Sequence, residues 1–129
     1  MKIDAIDHIV LTVRDITATC QFYELVLGMA VITSEEGRKA LTFGSQKFNL
    51  HKLGREFEPK AEFPTAGSID ICLVTSTPIT EVIEHLHTNG VDIIDGPVQR
   101  SGAVGSIVSV YLRDPDSNLI EISNYIKAQ

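Results

Sequence analysis

The sequence predicts an α+β fold built from two paired βαβββ modules. Three observations predict it: short alternating segments outnumber helical ones, both helical segments stop at a glycine, and residues of similar chemistry recur at a nearly constant offset. The 129 residues and the 43% hydrophobic content are sufficient for one core. We expect a single domain over residues 1–129, with modules at about 4–53 and 68–126 joined by a connector at 54–67.

The first module begins with a strand at residues 6–13, where side chains alternate between two faces. A helix follows, because Asp15 is a suitable N-cap, the apolar stripe continues to Leu27, and Gly28 supplies a C-terminal stop. Three further strands are expected at residues 30–33, 39–43 and 47–53. Together these elements make one βαβββ module.

The second module repeats this order after the connector, which holds two prolines and lacks apolar periodicity. A strand is expected at residues 69–75. Thr77 caps the next helix with Pro78 at its first position, and Gly90 ends it. The remaining strands are expected at residues 91–94, 106–112 and 118–125, the last two joined by a tight turn at 114–117.

Composition favours a small-molecule role. The net charge of −6 and the pI near 5.1 repel nucleic acid and anionic membranes. Residues 1–10 include two aspartates before any apolar run, so we expect no secretory signal or membrane span, and a cytoplasmic location. Cys20 and Cys72 lack disulfide-framework or zinc-finger spacing, and both are interpreted as small buried hydrophobes.

Four side chains able to bind a metal recur with the duplication: His8, His51, Asp70 and Glu121. His8 and Asp70 are 62 positions apart, the offset that also separates the two helix-ending glycines, and His51 and Glu121 are interpreted as equivalent positions on the last strands. Asp70 and Glu121 lie in apolar strands, where an unpaired buried carboxylate is costly, and a shared divalent cation would offset that cost. Exposure of one sheet face is the competing explanation.

Three segments, residues 7–13, 22–29 and 114–121, resemble the glyoxalase, bleomycin-resistance and extradiol-dioxygenase family, the vicinal oxygen chelate superfamily. The match covers nearly the whole chain, and the hairpin that precedes Glu121 is its most specific part. Residues around 46–59 also resemble an uncharacterised glyoxalase-domain subgroup. The resemblance implies that the modules form an open mixed-sheet half-barrel around a metal-binding cavity.

The resemblance also implies a ligand set. Family members commonly place a metal on the residues corresponding to His8 and Glu121. Glyoxalase I enzymes usually carry a carboxylate or glutamine at the position of His51 and commonly a histidine at that of Asp70, so the donors are exchanged here. Imidazole and carboxylate donors suit one divalent ion: nickel, zinc, iron(II), cobalt or manganese.

Three functions are considered. The first is a metal-dependent lyase or isomerase of the glyoxalase type, an enzyme in which Glu121 or Asp70 moves a proton of a small oxygen-chelating substrate. The second is an iron(II)-dependent dioxygenase with His8, His51 and Glu121 as its facial triad. The third is a non-catalytic small-molecule-binding protein of the resistance type.

Substrate binding and assembly complete the predictions. Arg100, in an expected flexible loop at 99–105, and Asn49 are the candidate substrate-binding residues. Small members of the superfamily usually dimerise, and open sheets leave edges that a partner would cover, so we expect a C2 homodimer. One site would then take its histidines from one chain and its carboxylates from the other.

Overall fold

The structure is a computed structural model that describes residues 1–127. Its elements follow the predicted order of strands and helices. They are β1 (His8–Val13), α1 (Ile16–Leu25), β2 (Ala30–Thr33), β3 (Lys39–Phe43), β4 (Gln46–Lys52), β5 (Asp70–Val74), α2 (Ile79–Thr88), β6 (Asp95–Ser101), β7 (Ser106–Arg113) and β8 (Leu119–Tyr125). The predicted α+β fold with two βαβββ modules is confirmed.

The chain divides into two compact units, the first at Met1–Ser68 and the second beginning at Ile69. Each unit has one four-stranded mixed sheet with the same topology. Unit 1 has the order β1-β4-β3-β2 and unit 2 the order β5-β8-β7-β6. In both, the first and last strands of the unit pair in parallel and the other pairs are antiparallel.

One face of the unit 1 sheet packs on α1. Tyr23 of the helix is fully buried and meets Phe48 of β4 edge to face, with ring centroids 6.0 Å apart. Asp15 caps the helix as predicted, since its Oδ1 accepts a hydrogen bond from the backbone N–H of Ala18 at 3.0 Å. Gly28 has φ of 68°, the left-handed conformation that favours glycine at a helix end. The opposite face of this sheet is left uncovered within the unit.

Helix α2 begins one residue later than predicted. Pro78 is its N-cap and makes no side-chain capping bond, so Thr77 does not cap it. Instead, the backbone N–H of Ile79 donates to Oδ1 of Asn124 on β8, at 2.7 Å. A side chain from a distant strand therefore satisfies one of the unpaired N–H groups of this helix. Val82 and Leu86 are its buried residues.

The sixth strand also lies outside its predicted position. Residues 91–94 form no strand, and β6 occupies Asp95–Ser101, so Arg100 lies in a strand rather than in a flexible loop. The cause is tertiary pairing: Arg100 stands opposite Ile107 of β7, and the register shifts between Asp95 and Val98. Because this segment contains a glycine and a proline and alternates poorly, its periodicity did not predict a strand.

The helices within residues 1–127 are too short and too polar to cross a membrane.

Candidate functional site

The two predicted histidine ligands lie on the open face of the unit 1 sheet, the face away from α1, but at different positions along it. His8 stands opposite Lys47, whereas His51 stands opposite Thr12, four residues further along β1. At roughly 3.3 Å per strand residue this is a separation of about 13 Å. Side chains of a strand stand roughly perpendicular to the sheet, so two imidazoles this far apart along it do not converge on one ion, which binds each imidazole nitrogen at about 2 Å.

The strand register also corrects the predicted equivalence of His51 and Glu121. In unit 2, Glu121 stands opposite the residue two positions after Asp70. In unit 1, the residue two positions after His8 stands opposite Asn49. Asn49 is therefore the counterpart of Glu121, and the predicted equivalence was wrong. A shift of two residues keeps a side chain on the same sheet face, so the alternating pattern does not reveal it.

The imidazole of His8 is held by its neighbour in the sequence. Its Nδ1 lies 2.7 Å from Oδ1 of Asp7, and the hydrogen bond and charge of this imidazole lower the pKa of the Asp7 carboxyl. Because the ionised carboxylate can only accept, Nδ1 carries the hydrogen and Nε2 is left as the nitrogen able to bind a metal. Carboxylates commonly orient metal-binding histidines in this way. His8 remains a credible ligand by its local chemistry.

The open face of unit 2 carries both predicted carboxylate ligands. Asp70 is exposed and Glu121 is half-buried, and the residue opposite Glu121 on the neighbouring strand is Cys72. Asp70 and Glu121 are thus two positions apart along adjacent strands, a displacement of about 7 Å along the sheet. Both carboxylates therefore lie on one sheet face, two strand positions apart.

A chain of hydrogen bonds ends at Glu121. Ser109 Oγ donates to Glu121 Oε2 at 2.5 Å. A hydroxyl has one hydrogen, so the 2.7 Å contact between the Ser109 and Ser123 hydroxyls requires Ser123 to donate. The 3.2 Å contact between Ser123 Oγ and Cys72 Sγ then requires the thiol to donate. All hydrogens in this chain point toward the carboxylate, which fixes one of its two oxygens.

Cys72 differs from its predicted role as a buried hydrophobe, since the residue is exposed, whereas Cys20 is buried as expected. Partial burial of the thiol nevertheless raises the pKa of Cys72, and the carboxylates of Glu121 and Asp70 raise it further. A hydrogen bond donated by the Ser123 hydroxyl to the thiolate would lower this pKa, but in the chain of hydrogen bonds that hydroxyl donates to Ser109. The thiol therefore stays protonated at neutral pH. This agrees with its place as the first donor of the chain.

The turn before β8 positions Glu121. Asp114 Oδ1 accepts hydrogen bonds from the backbone N–H groups of Asp116 and Asn118, both at 2.9 Å, and its Oδ2 accepts from Asn118 Nδ2 at 2.8 Å. Asn118 Oδ1 in turn accepts from the backbone N–H of Ile69 at 2.9 Å. These buried contacts tie the β7–β8 hairpin to the start of β5 and so set the register that places Glu121 on the open face.

A cavity of about 380 Å³ opens over this face of unit 2. Arg100, a predicted substrate-binding residue, lies in its wall, as do Cys72, Tyr111, Glu121 and Tyr125. Arg100 Nε donates to the Tyr111 hydroxyl at 3.2 Å, and its Nη2 lies 3.6 Å from Oδ2 of Asp95. These contacts hold the guanidinium in the wall of the cavity that Glu121 also lines.

Unit 1 has its own cavity, of about 340 Å³, on the open face of its sheet. Asn49, the other predicted substrate-binding residue, and His51 line it. The cavity also contains Arg38, Lys47 and Phe57, which sequence reasoning missed. No motif marks these three residues, and only strand pairing and the fold of the connector bring them together.

The residues fit a divalent ion only in part. Within residues 1–127, no group of three or more histidine, cysteine, aspartate or glutamate side chains lies close enough together to hold a metal. Asp70 and Glu121 form a suitable pair of oxygen donors, and His8 has one nitrogen left for a ligand bond. His51 lies too far along the sheet from His8 to bind the same ion. His51 is therefore removed from the set of four metal ligands predicted from the sequence.

Comparison with known proteins gives a family and two curated relatives. The model of the family described as Glyoxalase/Bleomycin resistance protein/Dioxygenase superfamily matches residues 5–122. Virulence protein STM3117 of Salmonella typhimurium is 57% identical over 126 residues, which are 98% of this chain and 88% of that protein. Glyoxalase domain-containing protein RDO1 of Mycosarcoma maydis is 50% identical over 129 residues, which are 100% of this chain and 73% of that protein.

Solved structures give the same picture. The crystal structure of STM3117 superimposes with a TM-score of 0.96, covering 98% of this chain and 100% of that one. Lactoylglutathione lyase from Agrobacterium tumefaciens, 20% identical, has a TM-score of 0.75 over 96% of both chains. TnmS3, an antibiotic binding protein from Streptomyces sp. CB03234, also 20% identical, has a TM-score of 0.73 over 98% of this chain and 99% of that one. At this identity the last two show a shared fold alone.

Proposed function

We propose a function for this chain on the basis of its family. The chain belongs to the Glyoxalase/Bleomycin resistance protein/Dioxygenase superfamily. We infer that it is a metal-dependent lyase or isomerase that acts on a small molecule with adjacent oxygen atoms. The observation that carries this proposal is Glu121, a half-buried carboxylate in a cavity, with one oxygen held by Ser109. No hydrogen-bond partner holds its other oxygen, Oε1, within residues 1–127.

Members of this superfamily generally bind a divalent metal ion. Within unit 2, Asp70 and Glu121 would supply carboxylate ligands. In unit 1, His8, a ligand that the family resemblance implies, has Nε2 able to bind a metal. When bound, such an ion is a Lewis acid that polarises substrate oxygens. His51 is not included, because the strand register separates it from His8.

The side chains of unit 2 support a proton transfer. Glu121 Oε1 accepts a proton from a substrate carbon next to a carbonyl: the C–H bond breaks and an O–H bond forms on the carboxylate. Return of that proton to the former carbonyl carbon, while the hydrogen of the adjacent hydroxyl moves to the former carbonyl oxygen, completes the isomerisation of an α-hydroxycarbonyl compound and restores Glu121. Ser109 keeps the carboxylate in one orientation throughout, and Arg100 binds an anionic oxygen of the substrate.

The test is the Glu121→Gln variant, assayed with added nickel, zinc or manganese. Hydroxyacetone and the hemithioacetal of methylglyoxal with glutathione serve as probes, and exchange of the proton next to the carbonyl with deuterated water is followed by NMR. We expect exchange by the native protein and a loss of about 100-fold or more in the variant, the usual scale of a general base. The matched control Glu84→Gln, on an exposed residue of α2, should keep the native rate. Native exchange in Glu121→Gln would refute the proposal.

A non-catalytic binding protein is the second candidate. The observation that favours it is the cavity of about 380 Å³ in unit 2, because Arg100, Tyr111 and Tyr125 in its wall can bind a small molecule without a metal. Elemental analysis of protein purified without added metal separates the candidates. The lyase requires metal uptake with a rise in melting temperature, whereas no bound metal and no thermal shift on adding nickel, zinc or iron(II) supports the binding protein.

The dioxygenase alternative loses its basis. Its facial triad required His8, His51 and Glu121 at one iron ion, and the register places the two histidines four strand positions apart. We do not propose it.

A further inference from the structure

We propose that unit 1 binds the anionic group of a small carboxylate or phosphate compound in the cavity on the open face of its sheet. This cationic cavity is defined by Arg38, Lys39, Lys47, Asn49, His51 and Phe57. It contains no residue of unit 2, so the inference goes beyond the proposed function and does not depend on Glu121.

The charge of the cavity contrasts with the charge of the chain. Three cationic residues are in its lining, with the side chains of Arg38 and Lys47 on the open face, and Glu36 is the one acidic residue there. The whole chain carries a net charge of −6. Within residues 1–127, none of Arg38, Lys39 and Lys47 forms an ion pair with a carboxylate. Positive charge concentrated in a concave site of an acidic protein attracts an anion from solution.

Arg38 is held ready for an anion. Its guanidinium carbon lies 3.7 Å from the centroid of the Phe57 ring, a stacked cation–π contact. Phe57 is itself positioned by His51, whose ring meets it edge to face with centroids 5.3 Å apart. At the other end of the residue, the backbone N–H of Arg38 donates to Ser34 Oγ at 3.1 Å. Stacking uses the face of a guanidinium and leaves its in-plane N–H groups for a carboxylate or phosphate.

The strand pairings place other polar groups on the same face. Lys47 and Asn49 lie on β4 two residues apart, with Asn49 opposite Ala40, whose small side chain leaves room above the sheet. Lys39 alternates with Ala40 and so points to the opposite face, where its Nζ donates to Thr33 Oγ1 at 2.8 Å. Arg38 and Lys47 are thus the main anion-binding groups, with the Asn49 amide able to donate. A cavity of about 340 Å³ suits a small ligand, such as an acid with one aromatic or short aliphatic group.

The experiment is an NMR titration of the full ¹⁵N-labelled chain with phenyl phosphate, benzoate and benzamide. We expect both anions to shift the amides of cavity residues, the neutral benzamide to leave them in place, and added salt to weaken binding. The better of the two anions identifies the head group. Arg38→Ala and Lys47→Gln should each weaken binding by about tenfold or more, the scale of a lost hydrogen bond to a charged group, and Arg38→Lys should weaken it less.

Arg55→Ala is the matched control, because Arg55 is an exposed arginine of the same unit outside the cavity, and it should bind as the native protein does. Glu121→Gln should also bind normally, which separates this inference from the proposed catalytic role. The spectra report folding of each variant. Equal binding of benzamide, shifts mapping outside unit 1, or native affinity in both cavity variants would overturn the inference.

Discussion

The carboxylate of Glu121 is oriented by hydrogen bonds from neighbouring side chains. A strand with alternating faces would leave its carboxylate free to rotate, but the Ser109 hydroxyl binds one oxygen at 2.5 Å. The serine can do so because Ser123 and Cys72 donate in sequence behind it. Preorganised polar contacts of this kind reduce the reorganisation needed when a proton is transferred.

The pKa of Cys72 is a measurable consequence of this arrangement. Burial and the two carboxylates raise it above the ordinary value of 9.0, so the reactive thiolate forms only at higher pH than in a free cysteine. In Glu121→Gln one of the raising charges is lost, and the alkylation profile should move to lower pH while staying above the ordinary value, because burial is the largest cause. Peptide-level mass spectrometry after iodoacetamide treatment at a series of pH values measures it.

Cys20 provides the internal control for that measurement. Its pKa is also raised, mainly by burial, but Glu121 is not among the charges that affect it. Its profile should therefore be the same in the native protein and in Glu121→Gln. A Cys72 profile that stays in place or moves to higher pH in the variant would contradict the effect of the Glu121 charge on the thiol.

At the scale of secondary-structure elements, the hairpin between β7 and β8 decides where Glu121 lies. Asp114 is 5% exposed, and its carboxylate accepts three hydrogen bonds within the turn. Asn118, 1% exposed, extends the network to the start of β5. Hydrogen bonds to a buried charged group are among the stronger ones, and loss of this acceptor leaves several donors unsatisfied.

We therefore expect Asp114→Ala to lower the free energy of unfolding by about 3 kcal/mol, the scale for a broken buried polar network. Urea denaturation followed by circular dichroism measures the change. Asp92→Ala, at an exposed aspartate of unit 2, is the control and should change the stability by less than about 0.5 kcal/mol. A loss below about 1 kcal/mol for Asp114→Ala would show that the turn forms without its central carboxylate.

At the scale of the whole molecule, the open sheet faces expose apolar side chains. Ile32 of unit 1 is 46% exposed and Val74 of unit 2 is 59% exposed. Each four-stranded sheet also has two edge strands, which soluble proteins commonly cover by association. These features support the predicted C2 homodimer, which stays a prediction.

Multi-angle light scattering tests the dimer. We expect the native chain to have twice the mass of one protomer, and Ile32→Glu or Val74→Glu to shift it toward the monomer, because each would bury a charge at the interface. Thr80→Glu, an exposed position on α2, should remain dimeric. A monomer for the native chain at micromolar concentration would exclude both the dimer and any site that needs a partner chain.

Most of the fold followed from the sequence, and less of the site did. Alternating segments and the glycine stops predicted seven of the eight strands and both helices close to their observed positions. The sixth strand was missed because β6 pairs with β7 despite its own weak pattern. Arg38 and Phe57 were missed because a stacked contact between a strand end and a connector has no sequence motif.

The amino-acid sequence by itself determined the class of fold, the duplication, and which residues stand on the open face of each sheet. These depend on local period and on apolar burial, which a chain carries in its order of residues. Only the tertiary structure decided the register of the strands. It makes Asn49 in unit 1 the counterpart of Glu121 in unit 2, and it places His51 four strand positions from His8. The physical reason is that backbone hydrogen bonds between strands fix the register. A shift of two residues keeps each side chain on the same face of the sheet, so the alternating pattern does not reveal it.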